Sequence, residues 1–392
     1  MAQPTDAFGT TVTAKQFMRS LLKQFTKSSW IMDVTNRDFG TPGDDNARST
    51  KSIKTKNQQF IVTSLLSGGW NPYSGSDLTF TNALEVVSTL VIDQFRSVQD
   101  QIMSLSWFKS SIEDPQSGLL QSQGDKLSVI LKKYLLQNMY AKAAAGNWIG
   151  TSYTTGTVAV AITTGVVTGT GTTFTAAMVG RPFRAAGQSK WYRIKTFTSA
   201  TSITIENDSD DEVSAYDGGT ISAGATFTIQ AATAVAITKT NIAAQLIACA
   251  VVLDEASYGT NDELIVPTEG RFILLPTPAR NPLHAAAEFN KDIEMVYNDT
   301  VKQGVIAKVY GMKVIVDKSA FFAGDNTNGY FCIFGHTNFI TVGMGFIEPV
   351  SIITAAENQT NFGNKYKGLF GFGMKVADPR KMQGGVLFAT FA

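Results

Sequence analysis

The chain is poor in the residues that usually carry chemistry. In 392 residues there are two histidines and two cysteines. His284 and His336 are far apart in sequence, and neither has a His, Cys or carboxylate neighbour at metal-ligand spacing, so no zinc centre is expected. Cys249 and Cys332 sit in apolar stretches without metal or redox spacing and read as buried free thiols. Charge is also scarce: Asp, Glu, Lys and Arg make up 17%, against about 25% in ordinary globular proteins. The net charge of +1 supplies no field for recruiting nucleic acid or an acidic partner. No apolar run approaches the roughly 20 residues a membrane-spanning helix needs, and no basic-then-apolar leader opens the chain. A chain with 44% hydrophobic residues and 34 glycines but little charge is suited to burying much of its surface against something else.

Nucleotide and hydrolase motifs are missing as well. There is no Gly-x-Ser-x-Gly elbow and no phosphate-loop lysine. The glycines of Gly368-Leu-Phe-Gly371-Phe-Gly373 lie in a strand pattern with no helix opening after them, which is the wrong context for a dinucleotide fingerprint. The acidic run Asp208-Ser-Asp-Asp-Glu212 lacks the ligand spacing of a calcium loop and reads as a solvated turn. A glycan hydrolase would need carboxylates flanking a cleft, whereas Glu206, Asp208, Asp210, Asp211 and Glu212 crowd one turn. No catalytic, cofactor-binding or metal residue is therefore assigned.

What the chain does have is architecture. Thr13 to Ser28 reads as an amphipathic helix with Phe17, Leu21 and Phe25 on one face and Lys15, Arg19, Lys23 and Lys27 on another. Residues 51–95 read as two extended segments around a long tip, Leu66 to Asn82, that carries Trp70, Pro72, Tyr73, Leu78 and Phe80. The returning segment, Ala83 to Phe95, is rich in Val, Leu, Ile and Thr. An isolated hairpin is marginal in water, so this one is expected to lie on another surface, first of all a neighbouring copy of the chain. Those five tip residues are the expected contacts between subunits.

Gln116 to Gly146 predicts a long helix with Leu127, Ile130, Leu131, Tyr134, Leu135, Met139 and Tyr140 on one stripe and Gly146 as its stop. At Thr151 the composition changes. Residues 151–180 contain no charge at all, and short alternating runs follow at Trp191–Phe197, Thr201–Glu206 and Ala225–Ile229. These predict an inserted all-β domain over 151–232, a small sandwich or barrel. After Val235 helix and strand mix without a βαβ rhythm. A helix is expected at Ile242–Glu255 and another at Pro282–Asn290. Strands are expected at Phe272–Leu275, around Gly311, at Tyr330–Phe334, at Ile347–Ala355 with Gly368–Val376, and at Gly385–Phe391. The fold class is α+β.

The order of these parts resembles the major capsid proteins of tailed bacteriophages with the Hong Kong-phage-type coat fold. The strings that carry the resemblance are Val34-Thr-Asn-Arg-Asp-Phe39, Leu90-Val-Ile-Asp-Gln94, Leu253-Asp-Glu-Ala256, Gly270-Arg-Phe-Ile-Leu-Leu-Pro276, the run Gly304 to Val316 and the run Gly368 to Val376. Val167 to Thr175 with Val179-Gly-Arg181 is similar to small β modules of virion proteins. The resemblance implies an N-terminal arm over 1–50, an extended loop over 51–95 and a peripheral domain with a spine helix over 96–150. The insert would follow at 151–232, then an axial domain with returning peripheral strands over 233–392.

It implies a homo-oligomer of hexamers and pentamers forming an icosahedral shell, packaged double-stranded DNA held without sequence preference, and portal and head-completion partners. The place of action would be the virion, with assembly in the host cytoplasm. Arm-like sequence begins directly after Met1, so any scaffolding protein is expected to be separate. Some relatives weld their shells by a Lys–Asn isopeptide bond. Here the loop tip has no lysine; Lys51, Lys54 and Lys56 lie at its base, and Asn358, Asn361 and Asn364 are on a distant turn. Non-covalent assembly is expected. The alternative is another virion component, from a tail or a decoration layer.

Overall fold

The computed structural model describes residues 30–36, 59–66, 84–103, 115–208, 215–258, 264–286, 305–353, 363–376 and 378–392. The basic helix expected at Thr13–Ser28 and the five tip residues lie outside them. The chain divides into two compact units, one of Met1–Val62, Thr89–Lys132 and Thr341–Lys375, the other of Thr63–Ser88, Lys133–Ile340 and Val376–Ala392.

The hairpin strands are Gln59–Leu66 and Leu84–Val91, paired as a two-stranded sheet. The return was expected to run unbroken to Phe95, but it stops at Val91, and a new strand, Gln94–Met103, starts after Asp93. The cause is local packing. Ile92 is buried, and the backbone at 91–92 crosses the glycine-rich strand Gly363–Lys375. A Cβ on Gly373 would stand 2.2 Å from the Val91 carbonyl oxygen, and one on Gly371 would stand 2.6 Å from Ile347. Gly373 serves close backbone approach and Gly371 makes room for the Ile347 and Ile92 side chains, which accounts for two of the glycines in the run Gly368 to Gly373.

Gln94–Met103 then joins Gly363–Lys375, which pairs in turn with Thr341–Ile353, in a three-stranded antiparallel sheet. Val342 donates its backbone N–H to the Asn36 carbonyl at 3.2 Å. Leu90, Ile92, Val342, Phe370 and Phe372 are buried in this unit.

The long helix is Pro115–Asn138, about 36 Å at 1.5 Å per residue. Leu127, Leu131, Leu135 and Leu136 are buried on it. It ends eight residues before the expected glycine stop. The Asn138 side chain donates to the Tyr134 carbonyl at 2.7 Å, and the chain tightens into 3₁₀ turns at Met139–Lys142 and Ala145–Asn147. Met139 and Ala143 are fully buried, and Tyr140 stacks on Phe331 with ring centroids 4.3 Å apart. Tertiary burial overrides the helix propensity of the Ala143-Ala-Ala run.

In the second unit a mixed sheet runs in the order Val235–Ile237, Gly384–Phe391, Gly329–His336, Arg271–Pro276, Met312–Asp317, Val305–Val309. Trp148–Ile149 adds in parallel to Gly384–Phe391. Every residue of Arg271–Pro276 is buried, as suits a central strand. Tyr310 and Gly311 both have positive φ (48° and 78°) and turn the hairpin Val305–Val309 to Met312–Asp317. The helix Ile242–Asp254 buries Leu246, Cys249, Ala250 and Leu253 but leaves Ile247 exposed. The helix expected at Pro282–Asn290 is instead Arg280–Ala285, and Ala286 is already extended.

Between Thr151 and Thr233 eight strand segments form one sheet. Thr151–Tyr153 and Thr157–Val160 pair in succession with Phe227–Thr233 and Ile221–Ala225, so each couple is one bent strand. Six staves remain, and every one has two neighbours. Thr157–Val160 pairs with Val166–Thr170, that with Ser202–Asn207, that with Tyr192–Ser199, that with Pro182–Ala185, and that again with Phe227–Thr233. The sheet closes on itself. Of the two all-β alternatives this is the barrel, which leaves no long free edge. Alternate residues (Val158 and Val160, Phe183 and Ala185, Ile203 and Ile205, Phe227 and Ile229) fill its interior.

Candidate functional site

None of Trp70, Pro72, Tyr73, Leu78 and Phe80 lies among the described residues, so the expected contact tip has no geometry here. Lys51, Lys54, Lys56, Asn358 and Asn361 lie outside as well, while Asn364 pairs with Ile102 in a strand ladder. Among the described residues no group of His, Cys, Asp and Glu could hold a metal, and no helix is long and apolar enough to cross a membrane. Cys249 and Cys332 are free and buried, and burial pushes both thiols well above their ordinary range. His284 is exposed, whereas His336 is buried and accepts the Asn338 backbone N–H on Nδ1 at 3.1 Å.

The best-built constellation is the seat where the barrel meets the mixed sheet, within the second unit. Its floor is aromatic. Phe331 and Phe388 are cross-strand partners on Gly329–His336 and Gly384–Phe391, with centroids 4.8 Å apart. Trp148, held beside Val386 by strand pairing, packs edge-on against Phe331 at 6.0 Å, and Tyr140 stacks on the same ring. From the barrel, Arg181 places its guanidinium over this floor. Its carbon lies 3.9 Å from the Phe388 centroid, 4.4 Å from Phe331 and 5.8 Å from Trp148. Arg181 is 5% exposed, and burial lowers its pKa to about 10, so it stays cationic at neutral pH.

A polar group flanks the aromatic floor. Arg193 sits 5.3 Å from the Trp148 ring and donates to the Asp208 carboxylate at 2.5 Å, to the Ala143 carbonyl at 2.7 Å and to the Gly180 carbonyl at 3.1 Å. Asp208 also accepts the Ala145 backbone N–H at 3.1 Å, and its carbonyl accepts Lys381 Nζ at 2.7 Å. Asp208 was expected in a solvated turn. It is mostly buried instead, with a side chain 16% exposed, because two elements of the mixed-sheet body close over it.

The seat is finely balanced. A desolvated cation over an aromatic face is worth about 2 kcal/mol, and Arg181 has two faces well within reach. Against that, Arg181 Nε and Nη1 and Trp148 Nε1 are buried with no acceptor among the described residues. Each such orphan donor costs about 1–3 kcal/mol. The orphan donors offset what the rings contribute.

Sequence reasoning singled out Arg181 only as the end of a module-like string and did not assign Trp148, Arg193 or Asp208. One signal was available, since Arg181 is the first charged residue after Lys142.

No protein-family model and no curated protein matches the sequence. Among solved structures, the chain is similar to one from the capsid of Ralstonia phage GP4, at 12% identity and a TM-score of 0.50, covering 93% of this chain and 92% of that one. The chain has the tailed-phage capsid fold. Weaker likenesses include Mycobacterium phage Che8, at 12% identity and a TM-score of 0.45 over 91% and 89% of the two chains. The asymmetric unit of the cyanophage Pam1 capsid is another, at 11% and 0.45 over 88% and 87%. In chain order the strands Gln59–Leu66 and Leu84–Val91 are followed by Gln94–Met103, the helix Pro115–Asn138, the barrel and most of the mixed sheet, and the other two strands of the three-stranded sheet, Thr341–Ile353 and Gly363–Lys375, come before Gly384–Phe391.

Proposed function

We propose that the chain is a major capsid protein that self-assembles as hexamers and pentamers into an icosahedral head shell around double-stranded phage DNA. The observation that carries this is the end-to-end likeness to the Ralstonia phage GP4 capsid chain. The scarcity of charge and the two-stranded hairpin, which is marginal alone, support it: both suit a chain whose surface is completed by its neighbours.

In this reading residues 1–50 are an arm, and 51–91 are the extended loop, with the boundary moved from 95 to the end of its second strand. The peripheral domain continues to 150, 151–232 are an inserted barrel, and 233–392 hold the axial domain with returning strands. Trp70, Pro72, Tyr73, Leu78 and Phe80 serve contacts between subunits, and the shell is held without covalent welds. A separate scaffolding protein, portal and head-completion proteins are its partners. It assembles in the host cytoplasm and ends in the virion. The near-neutral charge fits a container rather than a DNA condenser. The chain carries no enzymatic role.

The closed barrel favours one second reading, a tail or decoration component. Negative-stain electron microscopy of the purified chain separates the two. Closed shells or capsomer rings are expected; tubes or discrete trimers would transfer the assignment to the second reading.

A further inference from the structure

Two buried arginines of the second unit are held in opposite ways, although each is 5% exposed. Arg271 is fully paired: it donates from Nη1 to Asp254 at 2.6 Å, from Nε to the Pro267 carbonyl at 2.8 Å and from Nη2 to the Val266 carbonyl at 2.9 Å. Arg181 Nε and Nη1 meet no acceptor among the described residues, and neither does Trp148 Nε1 beside them. What Arg181 has is π surface, with Phe388 at 3.9 Å and Phe331 at 4.4 Å.

We propose that Arg181 and its aromatic floor form a releasable latch that seats the barrel on the mixed-sheet body. Closing strips water from a guanidinium and gains ring contacts; opening gives up the ring contacts and restores hydrogen bonds from the orphan donors to water. Neither state is strongly preferred. A residue selected only to stabilise the seat would be paired like Arg271 or be apolar, since replacing imperfectly satisfied buried charge by apolar side chains is often stabilising.

The backbone on either side is pinned: the Gly180 N–H donates to the Ile194 carbonyl at 2.8 Å, its carbonyl accepts Arg193 at 3.1 Å, and the Arg181 carbonyl accepts the Ile194 N–H at 3.0 Å, so release is a movement of the Arg181 side chain. When Arg181 leaves, the barrel stays tethered through Asp208, which Arg193, Ala145 and Lys381 hold. Arg181 is thus a latch and Asp208 a pivot. This inference concerns how the barrel is mounted in this chain and stands whether or not the chain builds a shell.

The test is hydrogen–deuterium exchange on the full chain, read by mass spectrometry on peptides covering 140–148 and 179–185. Peptides over 203–205 and 271–276 serve as controls for the barrel interior and the sheet. Arg181→Met keeps an unbranched chain of similar length but removes the orphan donors. Exchange at the seat is expected to slow about tenfold, the size of one unpaired buried donor, with the controls unchanged. Seat exchange as fast as in the parent, or faster, with intact controls would overturn the latch. Should Arg181→Met deprotect the controls, Phe388→Leu decides. About tenfold faster seat exchange with protected controls supports the latch, and unchanged seat exchange overturns it.

Discussion

Arg193 and Asp208 form a nearly buried ion pair at 2.5 Å, with side chains 12% and 16% exposed, and the pair links the barrel to the backbone at Ala143 and Ala145. Arg193 on a barrel strand and Asp208, just past the end of the neighbouring strand Ser202–Asn207, thereby fix how a separately cored module meets the rest of its unit. Breaking one partner of such a pair leaves the other charged and poorly solvated.

Asp208→Asn should therefore destabilise the chain by about 2–3 kcal/mol, less than full removal because the amide oxygen still accepts from Ala145. Thermal unfolding followed by calorimetry measures this. A midpoint equal to the parent's would mean the pair contributes nothing at the seat.

Gly373→Ala should be among the most damaging single-methyl additions in the first unit. The new Cβ would stand 2.2 Å from the Val91 carbonyl oxygen, and backbone cannot yield as a flexible side chain can. A loss of at least about 2 kcal/mol is expected, read as a lower denaturant midpoint at unchanged slope. Gly311→Ala is a poor control because its positive φ adds strain of its own. Gly219→Ala, in open space, is a good one and should be neutral.

His336 gives a pH dependence with a defined sign. Burial lowers its pKa below the ordinary 6.5, and the Arg271 and Arg380 cations push the same way. The unfolded chain therefore takes up the proton first. The contribution of neutral His336 to stability is complete above about 6.5 and is lost as pH falls through the lower folded-state value. Urea midpoints measured from pH 7.5 to 5 should fall for the parent and fall less for His336→Gln. Parallel curves would remove His336 as the cause.

Trp70→Ala should weaken association between subunits while leaving the folded subunit intact. The measurements are heat resistance of assembled particles and circular dichroism of the dissociated chain. Particles as heat-resistant as the parent's would show that Trp70 is no anchor. Parent particles boiled in detergent should run as monomers; a ladder of multimers would mean that the shell is cross-linked after all.

Much of this fold could be read from pattern alone. The alternation in Ile203–Ile205 and Phe227–Ile229, the apolar run of Phe272–Leu275 and the Leu127–Leu135 stripe follow local periodicity, which a single sequence carries in full. Helix ends were less legible: the alanines at 143–145 favour helix, but the burial of Met139 and the stacking of Tyr140 on Phe331 decide otherwise. The seat was not legible, because Trp148, Arg181, Asp208 and Phe388 are brought together from four separate segments.

The sequence by itself determined the α+β class and the alternating strands between 151 and 233, because composition and short-range periodicity are local properties. Tertiary structure alone decided that those strands close as a barrel and that Gly373 makes room for the backbone crossing at 91–92. It also decided that Arg181 lies over aromatic rings with Nε and Nη1 meeting no acceptor among the described residues. Each of these depends on which distant segments meet, and that is settled by packing, not by any one stretch of chain.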